Sequence, residues 1–173
     1  MTMDIDYRII VDTREKENKH IINAFKKNNI PYIEKGLVVG DYRIEAATGY
    51  TPNITIERKA SLNELIANLL DKEKDVNGYN RFFRELERAH KSNTKVILLI
   101  EDKDYYLNLL RGKYISHVKP KAITGMVISL MAKYPNLSIM ATDRLTSGSL
   151  IQKLLYYHLR QDLKNDELFK KAT

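Results

Sequence analysis

The sequence lacks several features that define large classes of protein. No cysteine occurs among its 173 residues, which excludes a disulfide framework, a thiolate metal site and a cysteine nucleophile. No apolar run approaches the roughly 18 residues of a membrane span. A phosphate-binding glycine loop of the Walker type and an internal repeat are also missing from the sequence. We therefore expect a cytoplasmic protein that has no membrane partner and does not use ATP.

Length and composition indicate an ordinary folded protein. Hydrophobic residues make up 43% and charged residues 29% of the chain, which is enough apolar material for one hydrophobic core. We predict one domain over residues 1–163, followed by a charged C-terminal tail over residues 164–173. The net charge of +7 and the pI near 9.4 favour an acidic partner, of which nucleic acid is the commonest.

Strand-like and helix-like segments alternate along the chain, which predicts an α/β fold with a central sheet flanked by helices. Strands are predicted at Tyr7 to Val11, Ile30 to Ile33, Asp41 to Glu45, Asn53 to Arg58, Val96 to Ile100 and Leu137 to Met140. Helices are predicted around Ile21 to Phe25, from Leu62, over Tyr79 to Lys91, near Tyr105 to Leu110, from Pro120, and over Ser147 to about Leu163.

The second pair of predicted strands forms a hairpin around Gly49. A loop centred there places Asp41 opposite or nearly opposite Glu57, with an uncertainty of one or two residues in the register. Because side chains alternate along a strand, Glu57 and Lys59 share one face, and Arg58 points to the other. Two carboxylates and an ammonium group can therefore converge on one side of the hairpin.

Two interpretations of these charged groups remain open at this point. Carboxylates that hold Mg²⁺ beside a lysine can supply the positive charge that phosphodiester hydrolysis needs. Alternatively, Glu57 and Lys59 form only a solvated salt bridge. The turn Asp12-Thr13-Arg14-Glu15 has the same ambiguity, since it follows the first strand at an edge where sites form, but its residues could equally cap the next helix.

The order of the motifs resembles that of a known family. Val11 to Glu15, Val39 to Tyr42 and Ile56 to Lys59 occur in sequence, followed by Leu65-Ile66 in a helix and Ile97 to Glu101 in a strand. This set resembles the XPF-type structure-specific endonucleases, a branch of the PD-(D/E)xK nuclease superfamily. The resemblance extends over nearly the whole chain and implies a restriction-endonuclease-like mixed sheet flanked by helices.

The resemblance also implies the roles of individual residues. By analogy with the family, the acids Asp12, Asp41 and Glu57 are the expected ligands of Mg²⁺ or Mn²⁺. Lys59 matches the catalytic lysine. Arg14, Glu15 and Arg58 match further positions of the active-site signature.

One position departs from the family pattern. The family usually carries an aspartate four residues after the catalytic lysine, where this sequence has Asn63 followed by Glu64. If the register shifts by one residue, Glu64 takes that role. Otherwise fewer side chains hold the expected metal ligands in place, and the affinity for the metal is lower.

The helix predicted from Tyr79 combines a basic stripe with an apolar one. The basic residues recur at spacings of three and four and so gather on one side of the helix; they are Arg81, Arg84, Arg88 and Lys91. Such a stripe could bind DNA phosphates, although Glu85 and Glu87 dilute it. A solvated face with intrahelical ion pairs explains the pattern equally well.

Taken together, these features predict a Mg²⁺-dependent endonuclease that hydrolyses branched, flap or junction DNA in recombination or repair. The late helices predict a homodimer, as in XPF-type domains, and a recombination or replication protein is a further expected partner. The chain ends before a helix-hairpin-helix module could fit, which would suit a phage or other mobile element; the expected location is then the nucleoid or the host cytoplasm. The alternative is a non-catalytic DNA-binding or recombination accessory subunit with the same fold.

Overall fold

A computed structural model describes residues 5–166 in full and the backbone of residues 167–172. The strands are β1 (Tyr7–Val11), β2 (Tyr32–Glu34), β3 (Tyr42–Ala46), β4 (Ile54–Lys59), β5 (Lys95–Ile100) and β6 (Leu137–Ala141). The helices are α1 (Lys19–Lys27), α2 (Leu62–Leu70), α3 (Arg81–Lys91), α4 (Tyr105–Arg111), α5 (Pro120–Lys133) and α6 (Ser147–Ala172). Among the described helices, none combines the length and the apolar character that a membrane crossing requires.

The strands form one mixed sheet in the order β2-β1-β3-β4-β5-β6. Strand β1 runs parallel to β2 and antiparallel to β3, while β5 runs parallel to β6. The prediction of an α/β fold with a mixed sheet flanked by helices is confirmed. Strand β2 follows Pro31 and lies at the edge of the sheet, where a residue without an N–H donor is tolerated.

The contacts divide the chain into two compact units, with the boundary inside β4. The first unit ends at Thr55 and resumes at Leu145; we call it the β1 unit. The second runs from Ile56 to Arg144, and we call it the β5 unit. The predicted single domain over residues 1–163 therefore contains two packing centres.

The β1 unit buries its core between its strands and the helices α1 and α6. Ile9 pairs with Ile44 across β1 and β3, and both side chains are fully buried. Helix α6 is anchored to β1 by Tyr7, whose hydroxyl accepts a hydrogen bond from Gln152 at 2.7 Å. The Tyr7 ring also lies 5.4 Å from that of Tyr156. These contacts hold the last helix against the first strand.

The β5 unit is built around a fully aliphatic strand. Residues 96–100 of β5 are all buried, as the continuous Val-Ile-Leu-Leu-Ile run predicts for a strand covered on both faces. Each such side chain contributes about 1.5–3 kcal/mol to folding. Helix α5 begins at Pro120, whose fixed φ and missing N–H suit the first helical turn.

Helix α6 is longer than the sequence analysis predicted. We expected its end near Leu163 and a charged tail beyond, but the helix continues to Ala172. No glycine or proline occurs between these residues, so nothing in the segment stops a helix, and lysine, glutamate, leucine and alanine all favour one. The side chains of the predicted tail from residue 167 onwards lie outside the described part of the chain.

Candidate functional site

Asp12 stands directly after β1 and is only 1% exposed. Its carboxylate accepts four hydrogen bonds: from the backbone N–H groups of Arg14 and Leu37, both at 2.7 Å, and from Arg14 Nε and Nη2 at 2.9 and 3.0 Å. The turn closes through the Glu15 N–H, which donates to the Asp12 carbonyl at 3.1 Å. The carboxylate is therefore fixed by its own turn and by the loop at Leu37.

These bonds decide the charge of Asp12. Burial raises the pKa of its carboxyl group, but the hydrogen bonds from the Arg14 side chain and from the two backbone N–H groups outweigh burial and hold the pKa below its usual range. Asp12 is thus ionised at neutral pH. The Arg14 side chain is 48% exposed, so the positive charge that balances this carboxylate comes from the solvent side.

The predicted metal ligand Asp41 lies in the same unit as Asp12. Its carbonyl oxygen accepts a hydrogen bond from the Asp12 N–H at 2.8 Å, which ties the two backbones together just before β3. The turn around Asp41 is fixed by Thr55, whose hydroxyl lies 3.1 Å from the carbonyl oxygens of Val39 and Tyr42. The glycine before Asp41 makes this approach possible.

Gly40 should not tolerate a side chain. Its φ is +76°, and a Cβ atom there would lie 2.0 Å from Thr55 Oγ1. Gly40→Ala should therefore cost about 1–2 kcal/mol for the left-handed backbone and about 1–3 kcal/mol more for overpacking. Gly49 is the matched control, because its φ is +85° but nothing lies within 4 Å of its Cβ position.

Denaturant unfolding of the two variants checks this expectation. Gly49→Ala should lose only the backbone part of the free energy of unfolding, and Gly40→Ala should lose clearly more. Equal losses would contradict the close approach of Thr55 to Gly40.

Glu57 and Lys59 lie on one face of β4, in the β5 unit, as predicted from strand alternation. The Lys59 ammonium donates to Glu57 Oε1 at 2.7 Å, and both side chains are about nine-tenths buried. Lys59 Nζ also lies 3.9 Å from Glu64 Oε1 and 5.1 Å from the centroid of the Phe82 ring. The lysine is thus enclosed by two carboxylates and an aromatic ring.

The surroundings of Glu57 disfavour its charge. Burial raises the pKa of its carboxyl group; Lys59 opposes that effect, while the carboxylates of Glu85 and Glu64 add to it, and the net direction is upward. Lys59 is the contact that favours the charged carboxylate, and it offsets the effect of burial only in part.

Glu85 is a member of this environment that the sequence analysis missed. We counted it only as a dilution of the basic stripe, yet it is 9% exposed. The signal was present in the sequence, because Glu85 falls within the apolar spacing of Phe82, Leu86 and Ala89, all of which are buried. Burying a carboxylate is costly unless it is paired with a cation or a hydrogen-bond donor. Here Arg81 and Arg88 lie 3.9 and 3.7 Å from Glu85.

Arg58 points to the opposite side of β4 and pairs with Glu101. The Nη1 to Oε2 distance is 2.9 Å, and the side chains are 4% and 0% exposed. The Glu101 N–H also donates to the Lys59 carbonyl at 2.8 Å. This buried ion pair connects β4 with the end of β5.

The structure separates the two candidates for the family's later aspartate. Asn63 Oδ1 accepts a hydrogen bond from the Ile115 N–H at 2.7 Å, which commits this side chain to the loop before α5. Glu64 accepts a hydrogen bond from the Ala60 N–H at 2.7 Å, and its own N–H donates to Ser61 Oγ at 3.2 Å, as in a capping box. Of the two, Glu64 is the residue beside Lys59.

The four predicted DNA-binding residues occur on the exposed side of α3. Arg81 is 70%, Arg84 41% and Arg88 46% exposed, and Lys91 is exposed as well. Intrahelical ion pairs, the alternative that the sequence left open, are also present. Glu85 lies 3.9 Å from Arg81 and 3.7 Å from Arg88, which are long distances for an ion pair. The helix therefore presents basic groups that are only loosely paired.

Two of the predicted metal ligands, Asp12 and Glu57, are paired with basic side chains in the structure. Among the described residues, no three histidine, aspartate or glutamate side chains already form a metal-binding group. The donors nevertheless suit Mg²⁺, which prefers carboxylate oxygens. Arg14 at Asp12 and Lys59 at Glu57 each occupy a position where a cation neutralises the carboxylate, so metal entry would require these contacts to loosen.

Comparison with known proteins places this geometry in a wider context. The sequence matches the ERCC4 domain family over residues 11–154. The fold is similar to that of XPF from Aeropyrum pernix, with a TM-score of 0.61, 21% sequence identity and coverage of 94% of this chain and 71% of that one. The fold is also similar to that of XPF from Aeropyrum pernix in complex with DNA, with a TM-score of 0.59 and 21% sequence identity. That match covers 89% of this chain and 66% of the other. No curated protein matches the sequence.

Proposed function

Because the chain belongs to the ERCC4 domain family, we propose that it is a metal-dependent endonuclease that hydrolyses phosphodiester bonds in DNA. The observation that carries this proposal is the Glu57–Lys59 pair, buried in β4 with 2.7 Å between the charged atoms. Burying an ion pair is costly for a protein. A buried pair in this position, within the part of the chain that matches the family, supports a catalytic role over a solvated salt bridge.

We propose that Asp12, Asp41 and Glu57, the three acids that match the metal ligands of the family, are the residues that would hold Mg²⁺ or Mn²⁺. A bound metal would supply positive charge at the phosphate and make a water molecule more acidic. The carboxylates contribute hard oxygen donors, and Asp12 is already ionised at neutral pH.

Lys59 is proposed as the catalytic lysine. Its ammonium is oriented by Glu57 and Glu64 and by the Phe82 ring, so it loses little conformational freedom when it acts. In this role it stabilises the negative charge that builds up on the phosphoryl oxygens as water adds and the ester bond breaks. Arg14, which is half exposed beside Asp12, and Glu15 in the same turn are proposed to assist at the first carboxylate.

The proposed substrate is branched, flap or junction DNA, and the proposed setting is recombination or repair. The protein's net charge of +7 and the basic face of α3 supply the attraction to phosphate. One of the structural relatives is described in complex with DNA, which supports DNA as the partner.

A homodimer is the proposed assembly. Large apolar side chains are exposed in and around α4 and α5, at Tyr106 (62%), Leu110 (63%), Ile115 (88%), Ile128 (61%) and Met131 (43%). Exposed apolar side chains that form a continuous patch mark interaction surfaces. A second copy of the chain would cover it, and sedimentation of the parent and of Ile128→Asp would show whether this surface joins two copies.

Cleavage of labelled flap, fork and four-way-junction DNA tests the proposed activity. We expect cleavage with Mg²⁺ or Mn²⁺, none with EDTA, and binding without turnover in Ca²⁺. Asp41→Ala and Glu57→Ala should each abolish the activity. Cleavage that persists in both variants would indicate a contaminant or a different site. Binding without any cleavage by the parent would favour the non-catalytic DNA-binding subunit instead.

A further inference from the structure

A cleft lies beside α3 in the β5 unit, apart from the carboxylates discussed above. Its volume is about 570 Å³, within the range of ligand-binding pockets. The cleft is lined by Asn77 and Tyr79 of the preceding loop and by Arg84, Arg88 and Lys91 of the helix. Three of the four basic residues of α3 thus meet an aromatic and an amide side chain in one concave surface.

The loop that carries Tyr79 is internally ordered. Asp75 Oδ1 accepts hydrogen bonds from the N–H groups of Asn77 and Tyr79 at 2.9 and 3.0 Å. The Asp75 N–H in turn donates to the Tyr79 carbonyl, and the Gly78 N–H to the Asp75 carbonyl, both at 2.9 Å. A closed turn of this kind holds Tyr79 in position before any ligand arrives, which lowers the entropic cost of binding.

The ring of Tyr79 is further fixed by Lys133. The lysine ammonium lies 4.6 Å from the ring centroid and 3.3 Å from the Tyr79 hydroxyl. Lys133 is itself paired with Glu87 Oε1 at 2.8 Å, and Tyr134 donates to the same oxygen at 2.6 Å. The tyrosine is thus part of a rigid cluster at the wall of the cleft.

The same contacts determine the charge of the cleft. Two acids line it, but Glu87 is neutralised by Lys133, and Asp75 lies 3.8 Å from Arg84. Arg88 and Lys91 are both exposed. Arg88 lies 3.7 Å from Glu85, which is a long distance for an ion pair. The cleft therefore presents positive charge next to an aromatic ring.

We propose that this cleft binds a single-stranded DNA segment, with a base stacked on Tyr79 and the adjacent phosphates at Arg88 and Lys91. A basic groove with an aromatic platform is what single-stranded nucleic acid requires, because every base has a face to stack. In a duplex the base faces are already stacked on one another and cannot reach the ring. The inference rests on the proposed function in one respect: the single strand would be the unpaired arm of the branched substrate.

The test measures binding of a fluorescein-labelled thymidine oligomer and of a duplex of equal length, in EDTA so that no cleavage occurs. Tyr79→Leu should weaken binding of the oligomer about 10-fold, since stacking on one aromatic side chain is worth about 1–3 kcal/mol. Its salt dependence should stay unchanged. Duplex binding should change by less than about twofold, because no phosphate contact is removed.

The double variant Arg88→Gln with Lys91→Gln should instead change the salt dependence. The slope of log K against log salt should fall in magnitude by about 1.4, or about 0.7 for each phosphate contact to a single strand. The pair Lys103→Gln with Lys121→Gln removes the same charge from other exposed positions and should leave the slope within error. Tyr79→Trp should retain the oligomer affinity, which separates stacking from a general effect on folding.

The inference is overturned if Tyr79→Leu binds the oligomer as the parent does, or if it loses oligomer and duplex affinity equally. A control pair that lowers the slope as much as the α3 pair would overturn it too. Its failure is distinct from that of the proposed function. A protein that cleaves DNA but ignores these substitutions contradicts only the cleft, and one that binds as expected but never cleaves contradicts only the nuclease.

Discussion

Lys59→Met should lower the rate of DNA cleavage by about 10²–10³-fold, the usual effect of removing one electrostatic group from a transition state. The substitution keeps the length of the side chain and its place against Phe82, but it removes the ammonium that lies 2.7 Å from Glu57. Without the ammonium, Lys59 would no longer oppose the effects of burial and of the Glu64 and Glu85 carboxylates on Glu57, and the pKa of Glu57, already raised by burial, would rise further. The variant therefore loses the lysine and also makes ionisation of Glu57, the proposed metal ligand, less favourable.

Single-turnover cleavage in Mg²⁺ measures this effect, and DNA binding in Ca²⁺ shows whether the surface is intact. Lys95→Met is a matched control, since that lysine is exposed at the start of β5. The control should cleave at the parent rate. A Lys59→Met protein within about twofold of the parent would rule out a catalytic role, given that one catalytic group is worth far more than that.

Arg58→Met should destabilise the protein by about 3–5 kcal/mol, because it leaves a buried charge without its partner. Glu101 is completely buried in its pair with Arg58, and methionine offers it neither charge nor hydrogen bond. The sequence analysis grouped Arg58 with the catalytic residues by resemblance. Its burial predicts that any loss of activity follows from loss of structure around β4.

A double variant separates these two roles. Arg58→Met with Glu101→Leu replaces the pair by apolar side chains of similar volume, which is often neutral or stabilising. Denaturant unfolding should then show most of the lost free energy restored, and cleavage should recover with it. A double variant that is stable but inactive would show that Arg58 acts directly in the reaction.

Much of the fold could be predicted from local patterns. The aliphatic run of β5 is buried on both faces, Pro120 begins α5, and the strands around Gly49 form where β-branched residues border turn-forming ones. These signals are local, since each depends on a few neighbouring side chains. The position of Glu57 and Lys59 on one strand face follows from the same reasoning.

Other features depend on contacts that sequence spacing does not encode. Arg14 binds Asp12 through a fork of two hydrogen bonds, and the Leu37 N–H completes that site from 25 residues away. The hydrogen bond that Asn63 accepts from the Ile115 N–H joins residues 52 positions apart in the sequence. The extension of α6 was missed because we interpreted its charged composition as a tail, whereas the segment contains no helix breaker and is rich in residues that favour a helix.

The central proposal is that Asp41 and Glu57 serve one reaction. Its most direct test is the single-turnover rate of flap-DNA cleavage in Mg²⁺ for Asp41→Asn, Glu57→Gln and the double variant. When two residues act together in one catalytic step, the effects of replacing them are not additive. The double variant should therefore be no slower than the slower of the single variants. Single effects that multiply in the double variant, or cleavage that continues in either single variant at the parent rate, would contradict the claim.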